Sequence, residues 1–279
     1  MRQHQFGKSG PPASAIGQGT WYIDRGNRES AVAALRRGID LGMTHIDTAE
    51  IYGDAELVVA DAITGRRDDI FLVSKVLPSN ASRRGTITAC ERSLARLKTD
   101  RLDCYLLHWR GSYPLAETVA AFEQLVSAGK IRSWGVSNFD AGDLDEMLAV
   151  AGEGKIACNQ VLYHLQERAI EHAVIPWCTQ HGTALVAYSP FGHNDFPSPR
   201  SKAGEVLQTI AKAHGASPRG VALSFLTREP SVFAIPKAST PEHAADNAAA
   251  GELVLRSEEV ASLDKAFPRG PKPRILPML

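Results

Sequence analysis

Strand-like and helix-like segments alternate along almost the whole of this 279-residue chain, and this alternation restricts its fold more than any other feature. Helical segments carry apolar residues three or four positions apart, as Val32, Leu35 and Ile39 do. Strand-like segments such as Leu102–Leu107 are apolar without alternation, which is typical of parallel strands buried on both faces. Eight such units favour an α/β fold of the (β/α)8 TIM-barrel type, a parallel eight-stranded barrel with outer helices. We predict one domain over residues 1–279.

The boundaries of the predicted elements follow from the same periodicities. Strands are predicted at residues 13–17, 44–47, 70–75, 102–107, 131–136, 156–160, 184–188 and 232–235. Helices are predicted at residues 29–41, 55–63, 86–97, 115–128, 144–150, 170–180, 218–227 and 257–267, with a further Ala-rich helix after Pro241.

Polar and aromatic residues stand at the end of every predicted strand. In a barrel of this kind the chemistry lies at the carboxyl ends of the strands, so these positions are the candidates for a functional site. They are Trp21, Asp47, Lys75, His108, Ser137, Asn138, Gln160, Tyr188 and Lys237. Because such side chains are poor fillers of an apolar core, their concentration at one end indicates a binding or catalytic site.

Charge and cysteine content exclude several classes of protein. Lys+Arg and Asp+Glu both number 31, and this balance argues against a nucleic-acid-binding protein. The four cysteines form no Cys-x-x-Cys pair, so we predict neither a metal site nor a disulfide framework. No apolar run is long enough for a membrane helix, and the polar opening residues lack the apolar core of a signal peptide. We therefore expect a cytoplasmic protein with no membrane partner.

Three of the strand-end candidates and one loop residue, Tyr52, are more informative together than singly. Taken singly, Asp47 could cap a helix, Tyr52 could pack with a solvated hydroxyl, and Lys75 or His108 could be structural. Together they match, in order and approximate spacing, the Asp–Tyr–Lys–His tetrad of the aldo-keto reductases. The segment Asp-x-Ala-x-x-Tyr-Gly that begins at Asp47 also resembles the signature of that family. The chain thus resembles enzymes that transfer hydride between a nicotinamide cofactor and a carbonyl compound.

The resemblance assigns a role to each member of the set. Tyr52 would donate the proton to the carbonyl oxygen, and a nearby Lys75 ammonium would lower the pKa of the phenol. Asp47 would keep Lys75 charged and oriented. His108 would donate a hydrogen bond to the carbonyl oxygen, a stabilising role of the oxyanion-hole type.

The substrate site is expected to be lined by Trp21, Trp109 and His108. The residues after the last predicted helix include four prolines and one glycine, so we expect an extended tail, too short to form a lid. An open pocket implies broad, weak recognition of small aldehydes, ketones and dicarbonyls. This fits the chain's similarity to small bacterial members that act on methylglyoxal. Arg110 stands where the family has a proline, and it could either favour anionic or polar substrates or be solvated.

The resemblance also implies a set of cofactor-binding residues. These are Gly19, Thr20, Trp21, Asp47, Ser137, Asn138, Gln160, Tyr188, Ser189, Pro190, Phe191, Ile235, Lys237, Ser239, Thr240, His243, Asp246 and Asn247. Within the set, Ser137, Asn138 and Gln160 would bind the nicotinamide carboxamide. Tyr188 would stack on the nicotinamide ring, and the loop after it would lie over the pyrophosphate.

The adenosine 2′-phosphate of NADPH would be held by Lys237 and the N-terminus of the following helix. Many family members have a serine directly after this lysine and an arginine six residues after it, where this chain has Ala238 and His243. Because a bidentate guanidinium is missing from the motif, we expect NADPH to be preferred by a modest margin, with NADH also possible.

Two other functions remain open on the sequence alone. A barrel aldolase could use Lys75 as a Schiff base, although that chemistry needs a neutral lysine. A cofactor-binding regulatory protein with little turnover would carry many of the same residues. We expect the protein to be a monomer whose partner is a small carbonyl substrate.

Overall fold

A parallel eight-stranded sheet surrounded by helices dominates the computed structural model, which describes residues 1–8 and 10–279. The strands are β1 Gln3–Gln5, β2 Pro12–Ser14, β3 Gln18–Gly19, β4 His45–Asp47, β5 Phe71–Val76, β6 Leu102–Leu107, β7 Ile131–Ser137, β8 Ile156–Leu162, β9 Ala184–Tyr188 and β10 Val232–Ala234. The helices are α1 Arg28–Asp40, α2 Ala55–Ile63, α3 Arg83–Leu97, α4 Leu115–Ser127, α5 Ala141–Ala151, α6 Val174–His181, α7 Lys202–His214, α8 Pro218–Leu226, α9 Pro241–Ala249 and α10 Ser257–Ala266.

The sheet runs in chain order from β3 to β10, and every neighbouring pair is parallel. Parallel neighbours need long crossover connections, and α1 to α6 supply them up to β9. The two ends of the sheet also meet, because Ile16 forms a parallel bridge with Ala234. The backbone N–H of Gly17 donates to the carbonyl of Ala234 at 2.8 Å, and that of Gly19 to the carbonyl of Pro236 at 3.1 Å. The sheet is therefore curled into a barrel-like (β/α)8 fold.

The first predicted strand, at residues 13–17, is divided in the structure. Pro12–Ser14 pairs antiparallel with Gln3–Gln5, and only Gln18–Gly19 pairs with β4 in the large sheet. The prediction was wrong here because the opening residues fold back and take the first part of the run as a hairpin strand.

Most other predicted elements lie within a few residues of those observed. The helix predicted at 170–180 is a 3-10 turn, Ala169–His172, followed by α6. Helix α7 is absent from the predicted set, although Leu207, Ile210 and Ala211 stand at helical spacing along its buried face.

Aromatic side chains fill the amino end of the sheet. Phe6, which follows β1, is completely buried, with its ring centre 4.6 Å from that of Phe71 and 5.1 Å from that of Phe233. The His45 ring also meets Phe6 edge-on at 5.6 Å. Because His45 and Phe71 begin their strands, the hairpin covers the end of the sheet opposite to the predicted site.

Three further observations concern the described residues. None of their helices combines the length and apolar character needed to span a bilayer. No cluster of three or more His, Cys, Asp or Glu side chains among them could hold a metal ion. The cysteines Cys90, Cys104, Cys158 and Cys178 are buried free thiols.

Candidate active site

The carboxyl ends of the strands bring the predicted residues together around one cavity of about 270 Å³. The predicted residues that line it are Gly19, Thr20, Trp21, Asp47, Tyr52, His108, Trp109, Ser137, Asn138, Gln160, Tyr188, Ser189, Ile235 and Lys237. Ile51 and Leu279 also line it and were not predicted. Lys75 is completely buried behind this surface.

Lys75 and Asp47 form a buried ion pair at the floor of the cavity. The Lys75 Nζ donates to Asp47 Oδ1 at 2.5 Å and to the Thr48 carbonyl at 2.9 Å. Burial lowers the pKa of Lys75, but the Asp47 carboxylate and the Tyr52 hydroxyl outweigh this effect and hold the pKa above its ordinary value. A lysine kept charged in this way is unsuited to Schiff-base chemistry, which disfavours the aldolase interpretation.

Tyr52 presents its hydroxyl between the other two polar groups of the set. Its Oη lies 3.4 Å from Lys75 Nζ and 3.5 Å from His108 Nε2. Burial raises the pKa of Tyr52, although the Lys75 ammonium opposes the rise. The expected net lowering was therefore wrong: Lys75 acts in the predicted direction, but the loss of hydration is the larger effect. Tyr52 consequently carries its proton at neutral pH.

His108 is neutral at physiological pH. Burial, helped by the Lys75 charge, lowers the pKa of His108 to about 2. A neutral imidazole has one N–H donor and one acceptor nitrogen. Within the described part of the chain, Nδ1 is buried without a hydrogen-bond partner, while Nε2 faces Tyr52. With the proton on Nε2, His108 can donate to an oxygen atom placed beside the Tyr52 hydroxyl.

Gln160 supports the ion pair from β8, which neighbours neither β4 nor β5 in the sheet. Its Nε2 donates to Asp47 Oδ2 at 2.7 Å, so both carboxylate oxygens of Asp47 are satisfied. The Ser137 hydroxyl donates to the carbonyl of Gln160 at 2.8 Å, which ties the ends of β7 and β8 together. These contacts hold Ser137 and Gln160, two of the residues predicted to bind nicotinamide, at the ends of their strands.

Asn138 joins the catalytic side of the cavity to the predicted cofactor side. It adopts a left-handed conformation with φ 60°, which Asn tolerates better than most residues. Its Nδ2 donates to the His108 carbonyl at 3.1 Å, and its Oδ1 accepts from the Tyr188 hydroxyl at 2.9 Å. The orientation of Tyr188 is thereby set by Asn138.

The walls of the cavity differ from the expectation in one respect. Trp21 and Trp109 line it as predicted, and Trp21 stacks on His193 at 5.6 Å. Residues 268–279 contain no helix, as predicted, yet Leu279 lines the cavity and its N–H donates to the Tyr188 hydroxyl at 3.3 Å. The tail reaches the cavity, a contact that was not predicted, because an extended chain gains about 3.3 Å per residue.

Arg110 does not line the cavity. Its guanidinium forms an ion pair with Glu146 at 2.9 Å and donates to the carbonyls of Gly111 and Tyr113 at 3.0 and 3.2 Å. The Arg110 guanidinium thus stabilises its own loop at the position where the family has a proline. Arg110 therefore matches neither expectation, a substrate contact or a solvated side chain.

A second cavity, of about 600 Å³, shares Lys237 with the first. Its other predicted residues are Phe191, His243, Asp246 and Asn247, and its unpredicted ones are Gly192, Asn194, Phe196 and Arg219.

Three predicted cofactor residues, Pro190, Ser239 and Thr240, line neither cavity. Ser239 accepts a hydrogen bond from Lys237 Nζ at 2.7 Å, and Thr240 caps α9 through the His243 N–H at 3.3 Å. Ser239 and Thr240 therefore each contact a residue that lines the second cavity.

Comparison with known proteins agrees with this geometry. The model of the Aldo/keto reductase family matches residues 15–267. The chain belongs to the aldo/keto reductase family. It is 50% identical over 258 residues to the methylglyoxal reductase YeaE of Escherichia coli (strain K12), covering 91% of each chain. It is 34% identical over 251 residues to the glyoxal reductase of Bacillus subtilis (strain 168), covering 89% of this chain and 87% of that enzyme.

Solved structures of aldo-keto reductases share the fold closely. The crystal structure of an aldo-keto reductase from Klebsiella pneumoniae in complex with NADPH has 45% sequence identity to this chain and a TM-score of 0.93, with 100% of both chains covered.

Proposed function

We propose that this aldo/keto reductase uses NADPH to reduce small aldehydes, ketones and dicarbonyls of the methylglyoxal type to alcohols. The observation that carries the proposal is the position of the Tyr52 hydroxyl. It lies at the cavity floor within 3.5 Å of both the Lys75 ammonium and the neutral His108 imidazole. The methylglyoxal and glyoxal reductases that resemble the chain support the same substrate class.

The two cavities, which share Lys237, suit a nicotinamide adenine dinucleotide phosphate. The first offers the hydroxyl and amide groups of Ser137, Asn138 and Gln160 beside the Tyr188 ring, which suit a flat carboxamide-bearing ring. The second offers the Lys237 ammonium at the end where a phosphate would lie. When bound, NADPH supplies the hydride. NADH lacks the 2′-phosphate and is expected to bind less tightly.

The chain's own side chains supply the proton and stabilise charge. Tyr52 donates its proton to the substrate oxygen, and the Lys75 ammonium stabilises the phenolate that remains. His108 donates a hydrogen bond from Nε2 to the same oxygen as negative charge develops on it. Asp47 keeps Lys75 protonated and fixed throughout. Trp21 and Trp109 provide the apolar walls that orient a small substrate.

The substitution Tyr52→Phe tests this assignment. It should lower the kcat for methylglyoxal at least about a hundredfold, the usual scale for loss of a general acid, while NADPH still binds. The measurement is NADPH oxidation followed by absorbance, together with cofactor binding followed by protein fluorescence. Tyr113→Phe is the matched control, since Tyr113 is partly exposed outside both cavities. Unchanged turnover in the Tyr52 variant would refute the proton-donor role, and binding of NADPH without turnover by the parent would indicate a regulatory protein.

We also infer that residues 1–279 form a single domain, that the sheet closes into a complete (β/α)8 barrel, and that the protein is a cytoplasmic monomer. Backbone hydrogen bonds from Gly17 to the last strand and from Gly19 to Pro236, just after it, support closure. A family match over residues 15–267 supports one domain, and the buried free thiols suit a reducing compartment. Light scattering should give the monomer mass of 30.1 kDa, and a doubled mass would refute the monomer.

A further inference from the structure

The second cavity contains a guanidinium that the family-type motif does not supply. At the position where the motif has an arginine, this chain has His243, whose ring cannot form the paired hydrogen bonds of a guanidinium. Arg219, which comes from α8 rather than α9, lines the same cavity as Lys237 and His243. The cavity therefore combines two permanent cations from separate elements.

Aromatic rings hold the Arg219 side chain at this cavity. Its Cζ lies 4.9 Å from the ring centre of Phe196 and 5.6 Å from that of Phe191. The two rings meet edge to face with their centres 5.9 Å apart, so they form a corner against which the guanidinium rests. A planar cation placed in this way can contact the rings and still use its N–H groups for an anion.

The start of α8 fixes the position of the Arg219 backbone. The Ser217 hydroxyl accepts from the Gly220 N–H at 2.9 Å and donates to the Asp246 carboxylate of α9 at 2.8 Å. Arg219 is the second residue of the helix that this cap begins. The hydroxyl thus links the helix carrying Arg219 to the helix that follows Lys237.

Arg219 has no ion pair or hydrogen bond within residues 1–8 and 10–279. The other charged groups lining the cavity are Lys237, which donates to Ser239, and Asp246, which accepts from Ser217. Two cations and one carboxylate leave a net positive lining. Such a lining suits a phosphate group, which carries close to two negative charges at neutral pH.

We propose that Arg219 binds the adenosine 2′-phosphate of NADP(H) and is the residue that sets the preference for NADPH over NADH. This inference rests on the proposed function, since it assigns a residue within the same cofactor site. Guanidinium and phosphate match in charge and in paired hydrogen-bond geometry. The 2′-hydroxyl of NADH offers neither charge nor a second acceptor, so Arg219 contributes little to its binding.

The experiment compares the parent with Arg219→Ala and Arg219→Lys by equilibrium binding, without turnover. Dissociation constants are measured for NADPH and NADH by protein fluorescence, and for adenosine 2′,5′-bisphosphate and AMP by calorimetry. Arg219→Ala should weaken NADPH and the bisphosphate about tenfold or more, the range for a charge-assisted hydrogen bond, and should change NADH and AMP less than about twofold. The affinity of Arg219→Lys for NADPH should lie between those of the parent and Arg219→Ala, because lysine keeps the charge but lacks the paired N–H donors of a guanidinium.

Arg84→Ala is the matched control. Arg84 is also exposed, is the second residue of its helix, and lines neither cavity. The control should bind all four ligands as the parent does, which separates the contact at Arg219 from a general loss of positive charge. Because Arg219 is exposed, the thermal midpoint of both alanine variants should match that of the parent.

Two outcomes would overturn the proposal. Equal weakening of NADPH and NADH would mean that Arg219 contacts the adenine or ribose rather than the 2′-phosphate. Unchanged NADPH binding in Arg219→Ala would mean that Lys237 and α9 hold the phosphate alone. Failure of the proposed function is distinguishable, because it would show as absent carbonyl reduction by a parent protein whose ligand affinities can still be compared with those of the variants.

Discussion

The Lys75 ammonium and the Asp47 carboxylate depend on each other because both are buried beneath the cavity. Removing one partner leaves an uncompensated charge in the interior, which is more costly than removing both. Lys75→Met should therefore lower the free energy of unfolding by about 3–5 kcal/mol. The double variant Asp47→Asn/Lys75→Met should recover much of that loss but remain inactive. Urea unfolding and NADPH oxidation measure the two effects, and a double variant as unstable as the single one would contradict the coupling.

The pKa shifts of His108 and Tyr52 predict the pH dependence of reduction. Because the pKa of His108 is lowered to about 2, this ring does not titrate near neutrality. The pKa of Tyr52 is raised by burial, so the protonated, donating form persists to higher pH than for free tyrosine. We expect kcat/KM for methylglyoxal to be level from about pH 6 to about pH 9 and to fall only as Tyr52 loses its proton.

The measurement is a pH profile of kcat/KM for the parent beside the matching profile of NADPH binding. Binding serves as the control, since it reports cofactor titration alone. A step near pH 6.5 in kcat/KM that is absent from binding would show that His108 titrates in the working range.

At the scale of elements, Glu259 ties the start of α10 to α7. Its carboxylate accepts from the Arg256 backbone N–H at 2.8 Å and contacts His214 Nε2 at 2.9 Å. Burial raises the pKa of Glu259, but its contacts with Arg256 and His214 outweigh this and lower the pKa to about 2. A carboxylate with a depressed pKa stabilises the fold fully above its unfolded value, near 4.5, and loses this effect as the pH falls toward 2.

Glu259→Gln should therefore lower the free energy of unfolding by about 1–3 kcal/mol at neutral pH. The difference in free energy of unfolding between the variant and the parent should become smaller as the pH falls below about 4.5. Urea unfolding at several pH values tests both statements. Glu258→Gln is the control, because Glu258 is exposed and its carboxylate forms an ion pair with Arg256 alone among the described residues. A loss of stability in Glu259→Gln that did not change with pH would show that the ionised carboxylate of Glu259 is not its cause.

In the molecule as a whole, one end of the sheet contributes to stability and the other end carries the catalytic groups. Phe6 closes the amino end against Phe71 and Phe233, whereas the catalytic groups stand at the carboxyl end. Phe6→Ala should lower the free energy of unfolding by about 3–5 kcal/mol, the usual cost of a large cavity. The kcat/KM should change less than about twofold. Phe6→Leu, which leaves a smaller cavity, should cost less. A large loss of activity in a folded Phe6→Ala protein would show that the two ends are coupled.

Most of the elements, and the residues at the strand ends, could be predicted from local patterns in the sequence. Hydrophobic periodicity is local, so the runs at Leu102–Leu107 or Ala184–Tyr188 could be recognised without knowing their neighbours. Parallel topology then requires that Asp47, Lys75 and His108 meet at one edge, although each lies on a different part of the chain. The predicted site follows from that rule, whereas the family resemblance rests on the tetrad residues and on the segment that begins at Asp47.

Features that depend on contacts between distant parts of the chain could not be predicted from the sequence. The hairpin at Pro12–Ser14, the approach of Leu279 to Tyr188 and the place of Arg219 beside Lys237 have no local signal. The direction of the Tyr52 pKa shift belongs to the same class, since the loss of hydration depends on everything packed around the phenol. Periodicity is set by neighbours in sequence, whereas burial and long-range pairing are set by neighbours in space.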